Sequence, residues 1–246
     1  MNADGSDWKR LTERKVNDYY PSFLSDGLRI VFASNQSGLF EIYLRYLALD
    51  DEQQLTDGLG SVSAPDVSLD GKHLAFAARF TGGDSSIWIM NLDDRQARPL
   101  TDAQWNEIDP SWSPDGKRIA FAAARDGYVE LFTMNAEGGD IRQVTSGVQG
   151  IGGRSNWSPD GRWLAFYAGP RGDRDIYLVE AASGKMIRLT QGGNNTAPCF
   201  SPDGQWLAFS SSRDGDHEIF IMQLDGSQVT QITNNHYDDW QPSWGP

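Results

Sequence analysis

An all-β propeller is the fold class that this sequence predicts, on three observations. A turn of the form Ser-Pro-Asp-Gly returns at a nearly fixed spacing, and four short apolar runs fill the interval between its copies. No stretch shows the 3.6-residue period of a helix. A β-helix would need a much shorter repeat, and a helical solenoid a helical one.

The clearest unit runs from Pro110 to Thr145, PSWSPDGKRIAFAAARDGYVELFTMNAEGGDIRQVT. Related units begin at Pro21, Pro65, Arg154 and Pro198, with a partial copy at Pro242, so successive starts lie 44, 45, 44, 44 and 44 residues apart. The first strand of each unit carries a large or branched apolar residue: Phe23, Val67, Trp112, Trp157 and Phe200. In the turn that follows, proline sets φ, aspartate bonds nearby backbone and glycine takes the left-handed conformation that closes a hairpin. The second strand alternates, as at Ile119 and Phe121 or Leu207 and Phe209, the period of a half-buried strand. A second turn, ARDG at 124–127 and SRDG at 212–215, leads to a third strand such as Glu130-Leu131-Phe132 or Glu218-Ile219-Phe220. The fourth strand ends on a threonine: Thr12, Thr56, Thr101, Thr145, Thr190 and Thr233. Four antiparallel strands every 40 to 50 residues are the mark of a propeller blade.

These motifs together resemble the repeat of the TolB-like β-propeller family, and the likeness spans essentially the whole chain. The resemblance implies a bacterial, periplasmic or otherwise extracytoplasmic protein that binds other proteins. The family's named member binds a peptidoglycan-associated lipoprotein through one propeller face.

The termini are expected to fall inside a repeat of one domain spanning 1–246. Met1-Asn2-Ala3-Asp4-Gly5 matches Met134-Asn135-Ala136-Glu137-Gly138, and Pro246 stands where the next turn would begin. The expected fold is therefore five complete four-stranded blades plus two extra terminal strands, Lys9–Thr12 and Pro242–Trp244. Either five blades close with these strands as a clasp, or the ring is an incomplete six-bladed one. Unpaired strand edges also open a route to self-association.

Bulk properties exclude several classes. A net charge of -13 and a pI near 4.5 oppose nucleic acid, whose phosphates need a basic footprint. Cys199 is the sole cysteine, so no disulfide forms within the chain and no multi-cysteine metal motif exists. No stretch approaches the roughly 18 apolar residues of a membrane-spanning helix, and membrane insertion is not expected.

No catalytic signature is present: no G-x-S-x-G, no phosphate loop and no H-E-x-x-H. His73, His217 and His236 fall at different repeat phases, which argues against a shared ligand cluster. The Ser-Pro-Asp-Gly aspartates, Asp115, Asp160 and Asp203, are assigned to turn geometry. The informative residues precede each first strand, on loops that rim the central channel. Asp18, Tyr20, Trp105, Glu107, Asp109, Tyr237, Asp238, Asp239 and Trp240 gather carboxylates and aromatics there. They predict a partner surface, with a cation between Asp18, Glu107 and Asp239 as the sharper variant. The resulting expectation is a non-catalytic protein-interaction scaffold with no cofactor. A ligand-binding or lyase-type enzyme using the channel, and a fragment of a longer propeller, are the alternatives.

Overall fold

The computed structural model describes residues 1–13, 15–49 and 51–246. Among these, the strands form five antiparallel four-stranded sheets, each a meander in sequence order. Blade 1 holds β1 (Asp18–Phe23), β2 (Arg29–Ser34), β3 (Glu41–Tyr46) and β4 (Asp51–Gln54). Blade 2 holds β5 (Ser61–Val67), β6 (His73–Arg79), β7 (Ser85–Asn91) and β8 (Ala97–Pro99). Blade 3 holds β9 (Ile108–Trp112), β10 (Arg118–Arg125), β11 (Tyr128–Asn135) and β12 (Arg142–Gln143). Blade 4 holds β13 (Gly152–Trp157), β14 (Trp163–Ala168), β15 (Asp175–Glu180) and β16 (Met186–Arg188). Blade 5 holds β17 (Thr196–Phe200), β18 (Trp206–Ser211), β19 (Glu218–Gln223) and β20 (Thr230–Gln231). The innermost strands β1, β5, β9, β13 and β17 follow one another around the ring. The architecture is a five-bladed β-propeller.

One register differs from the sequence expectation. Trp157 pairs with Leu164 and Asn156 with Ala165, as Trp112 pairs with Ile119 and Ser111 with Ala120. The fourth unit therefore begins at Ser155, and Arg154 is the counterpart of Asp109. Proline is missing from that start, so the sequence had no marker for the shift.

Two polar devices repeat, one at the first turn of blades 2 to 5 and one at the fourth strand of blades 1, 3, 4 and 5. In the Ser-Pro-Asp-Gly turn, Asp115 Oδ1 accepts from Ser113 Oγ (2.7 Å) and from Lys117 N (3.1 Å), while Ser113 Oγ accepts from Arg118 N (2.9 Å). Asp160 and Asp203 repeat this geometry, which accounts for their recurrence and holds both carboxyls below the usual range. At the other end of the blade, the fourth-strand threonine accepts from the third strand and donates to its leading carboxylate. Leu131 N donates to Thr145 Oγ1 (2.8 Å), which donates to Glu130 Oε2 (2.5 Å). The same relay links Ile42, Thr56 and Glu41; Ile176, Thr190 and Asp175; and Ile219, Thr233 and Glu218.

Blades pack by burying both faces. Trp112, Ile119, Phe121 and Phe132 of blade 3 lie against Ala75, Ala77, Ile87 and Ile89 of blade 2. Polar links run alongside: Trp112 N donates to Asp66 Oδ2 (2.7 Å), and Phe200 N to Asn156 Oδ1 (2.8 Å).

The terminal segments occupy the seam between blades 5 and 1, and neither joins a β-ladder. Trp244 N donates to Cys199 Sγ (3.4 Å), repeating the Trp112–Asp66 link at the same repeat positions. Asp239 N donates to His217 O (2.6 Å), as Glu107 N does to Ser85 O (2.9 Å). At the N-terminus, Leu11 packs on Ile30, Phe32 and Tyr43, the place that Leu100 takes beside Ile119 and Phe121. The segments thus stand where the inner and outer strands of a blade would stand. They lack ladders because no middle strand lies between them to pair with.

Two outcomes test this packing. Trp112→Ala should cost about 3–5 kcal/mol in denaturant unfolding, since its side chain fills the blade 2–blade 3 interface. A cost near that of a surface change would refute the packing. Removing residues 1–13 should uncover Ile30 and Phe32 and so lower the melting temperature or drive self-association, read by calorimetry and light scattering.

Candidate functional site

The residue before each repeat's first proline takes a left-handed backbone, at a β-bulge in β1, β5, β9 and β17. Tyr20, Ala64, Asp109, Ala197 and Gln241 have φ of 57°, 51°, 52°, 49° and 55°. For non-glycine residues this left-handed backbone is unfavourable, and a recurrent bulge re-aims the side chain out of the pleat. Four residues of this phase meet near the channel axis: Tyr20, Asp109, Arg154 and Gln241. Tyr20 N donates to Gln241 Oε1 (2.8 Å), and the Arg154 guanidinium lies 5.7 Å from the centre of the Tyr20 ring. Arg154 Nη2 donates to Pro21 O (3.2 Å), so one side chain bridges blades 4 and 1 across the ring. Asp109 accepts from Arg154 N. Glycines make the space: a Cβ on Gly152 would run into the Tyr167 ring, and one on Gly153 into the Asp109 carboxylate.

Burial dominates the electrostatics of this axial group. Desolvation pushes the carboxyls of Asp66 and Asp109 up to about 6, against the pull of Arg154. The Asp109 charge, then burial, pushes the Tyr20 hydroxyl up to about 12. Burial raises the Cys199 thiol to about 11, so it remains protonated. The carboxylates are engaged by backbone: Asp66 by Trp112 N and by Ser22 Oγ (3.2 Å), Asp109 by Arg154 N. These contacts tie neighbouring blades together, while Arg154 Nη1 is buried with no hydrogen-bond partner among the described residues.

The remaining expected site residues lie around the end of the ring that carries the 2–3 turns and the 4–1 connections. A four-stranded meander places those two sets of loops at one end and the Ser-Pro-Asp-Gly turns at the other. Trp105 stacks on Phe132 (6.1 Å, 23°) and carries the Arg125 guanidinium 4.9 Å from its ring centre. Glu107 is 1 % exposed, turned towards Thr101 and accepting from Trp105 N (3.2 Å); burial raises its carboxyl. Asp18 is half-buried, with one carboxylate oxygen lacking a hydrogen-bond partner. Asp239 accepts from Asn235 Nδ2 (2.7 Å) and Asp238 from His217 N (2.9 Å). Trp240 stacks on His217 with centres 3.6 Å apart, and Tyr237 is 77 % exposed. Asp18, Glu107 and Asp239 serve separate blade junctions. Among the described residues, no group of three or more His, Cys, Asp or Glu side chains is placed to hold a metal.

The structure thus divides the expected residues into an axial pair, Tyr20 and Asp109, and a loop-end set. It adds Asp66, Arg154, Tyr167 and Gln241 to the axis, and Tyr19, Phe80 and Tyr128 to the exposed loop end. Among the exposed aromatic side chains of the described residues, all but Trp8 belong to that end.

Comparison with known proteins places this geometry in a family. The model of the TolB beta propeller domain matches residues 39–150 and 142–246. The chain belongs to the TolB β-propeller family. It is similar to the crystal structure of TolB from Acinetobacter baumannii, with a TM-score of 0.88 and 25% identity over 99% of this chain and 61% of that one. It is 32% identical over 82 residues to the Tol-Pal system protein TolB of Francisella tularensis, covering 33% of this chain and 19% of that protein. It is 30% identical over 103 residues to dipeptidyl-peptidase 5 of Porphyromonas gingivalis, covering 42% of this chain and 15% of that protein. The chain therefore spans 61% of the Acinetobacter structure and less than a fifth of the Francisella and Porphyromonas proteins.

The axial carboxyls generate a pH prediction. Their folded values, about 6, lie above the unfolded value of 3.8, so the native state binds more protons between the two. Their contribution to stability is fully present below about pH 4 and is lost as pH rises through about 6. Asp109→Asn keeps an acceptor for Arg154 N without the buried charge. It should raise the melting temperature by about 2–4 °C at neutral pH, with the gain shrinking towards pH 5. A loss of stability at neutral pH would instead assign the Asp109–Arg154 charge pair a net stabilising role.

Proposed function

We propose that this chain is a non-catalytic protein-binding propeller of the bacterial envelope, working through its loop end. The observation that carries the reading is the concentration of exposed aromatic rings there: Tyr19, Phe80, Tyr128, Tyr237 and Trp240. Large aromatics are enriched at protein interfaces because they supply much contact area for little lost side-chain entropy. The name of the Francisella relative, a Tol-Pal system protein, supports an envelope location and a protein partner. The described residues contain no helix long and apolar enough to cross a membrane.

The test is capture of a protein from envelope extract by the immobilised chain, compared with two variants. Tyr128→Ser with Tyr237→Ser and Trp240→Ser should retain the melting temperature and lose capture. Leu28→Ser with Leu69→Ser, exposed at the opposite end, should retain both. Capture lost in the second variant and kept in the first would move the working face to the other end.

A further inference from the structure

The exposed rings of the loop end share their loops with exposed carboxylates. Asp84 follows Phe80, Asp126 precedes Tyr128, and Asp238 lies between Tyr237 and Trp240. Asp214 and Asp216 occupy the turn beside His217 and are likewise exposed. Cations of this end are turned onto the protein itself. Arg125 lies over Trp105 (4.9 Å), and Arg174 over Tyr167 (5.3 Å). Arg213 lies over Phe220 (4.7 Å) while donating to Asn195 Oδ1 (2.9 Å) and Ser211 Oγ (3.0 Å). Arg79 Nε donates to Gly83 O (3.1 Å). Where the chain supplies a guanidinium here, an aromatic face repeatedly seats it. No Lys or Arg of the described residues lies over Phe80, Tyr128, Tyr237 or Trp240; His217 covers one face of Trp240, and Arg125 Nε lies 3.9 Å from Asp126, which leaves Phe80, Tyr128, Tyr237 and the other face of Trp240 for a cation.

We infer that the loop end takes an extended basic segment of a partner protein, its Lys and Arg heads seated over these rings and beside Asp84, Asp126 and Asp238. Ring and carboxylate together suit a cation better than either alone. The ring's negative face attracts it, and the acid adds a charge-assisted hydrogen bond. An acidic segment would meet repulsion from those carboxylates and from a chain of net charge -13. The free rings belong to blades 2 and 3 and to the C-terminal seam, so several heads on one extended strand fit them better than a single cation. This inference rests on the loop end being the working face.

Fluorescence anisotropy of labelled octa-arginine and octa-glutamate, titrated with the full chain, tests it. Octa-arginine should bind and weaken as salt is raised; octa-glutamate should not bind. Asp84→Asn with Asp126→Asn and Asp238→Asn should weaken octa-arginine by about tenfold, with the melting temperature unchanged. Asp51→Asn with Asp93→Asn and Glu137→Gln removes the same charge from the opposite end and should weaken it by less than about twofold. Tyr128→Leu with Tyr237→Leu, which changes no charge, should weaken it by about fivefold. Equal losses in the two charge variants, or no loss in the aromatic one, would reduce the binding to whole-chain attraction and overturn the inference. Capture of an envelope protein through the loop end without octa-arginine binding would overturn the basic segment while leaving the working face in place.

Discussion

Every blade here is a sheet with two apolar faces, and that constraint governs the rest. Phe76, Phe121, Phe166 and Phe209 are fully buried, one in each of blades 2 to 5. Each large ring faces the small or branched residues of the preceding blade, as Phe121 faces Ala75 and Ala77. Burying such a ring stabilises by about 1.5–3 kcal/mol, and a single blade in water would forfeit that on both sides. The sheets must stack, and right-handed strand twist turns the stack into a ring. The terminal segments then cover the two faces that meet at the seam.

Polar chemistry is fitted into what this packing leaves over. The threonine relay and the serine–aspartate turn satisfy backbone groups at opposite ends of the blades, where hydrophobic contact runs out. At the axis Arg154 offsets the charge of the buried Asp109 and Asp66 while Nη2 reaches Pro21 O on the far side, and its Nη1 is buried with no hydrogen-bond partner. A buried group of this kind specifies one arrangement of blades more than it stabilises it. Some loop residues, such as Glu107 and Trp105, pack into the blades, while Tyr128, Tyr237 and Asp126 stay exposed.

The repeat made the fold legible. A turn marker, an alternating strand and a terminal threonine at fixed intervals leave little room for another architecture, because each residue type is demanded by local geometry. Asp115, Asp160 and Asp203 could be set aside as turn residues for the same reason. The candidate site was legible in part. Repeat position put Tyr20, Asp109, Tyr237 and Trp240 alike on the loops that rim the channel. Their grouping was not legible, since phase says which residues are equivalent and not where a side chain points.

Tertiary structure decided what the bulge does. A left-handed residue other than glycine gives no sign in sequence, yet it swings Tyr20 and Asp109 towards Arg154 and Pro21. Glu107 and Asp239, two residues from that phase, turn instead into crevices between blades. The shifted start of the fourth unit hid Arg154 as well, since Gly152 and Gly153 fill the place where a side chain would have marked the register. Spacing and composition by themselves determined the four-stranded blade and the acidic character of the chain, because these follow from local pattern; that the ring has five blades was decided by the structure. Which acids are buried at the axis and which face solvent was fixed by long-range packing, in which residues 133 apart, Pro21 and Arg154, come into contact.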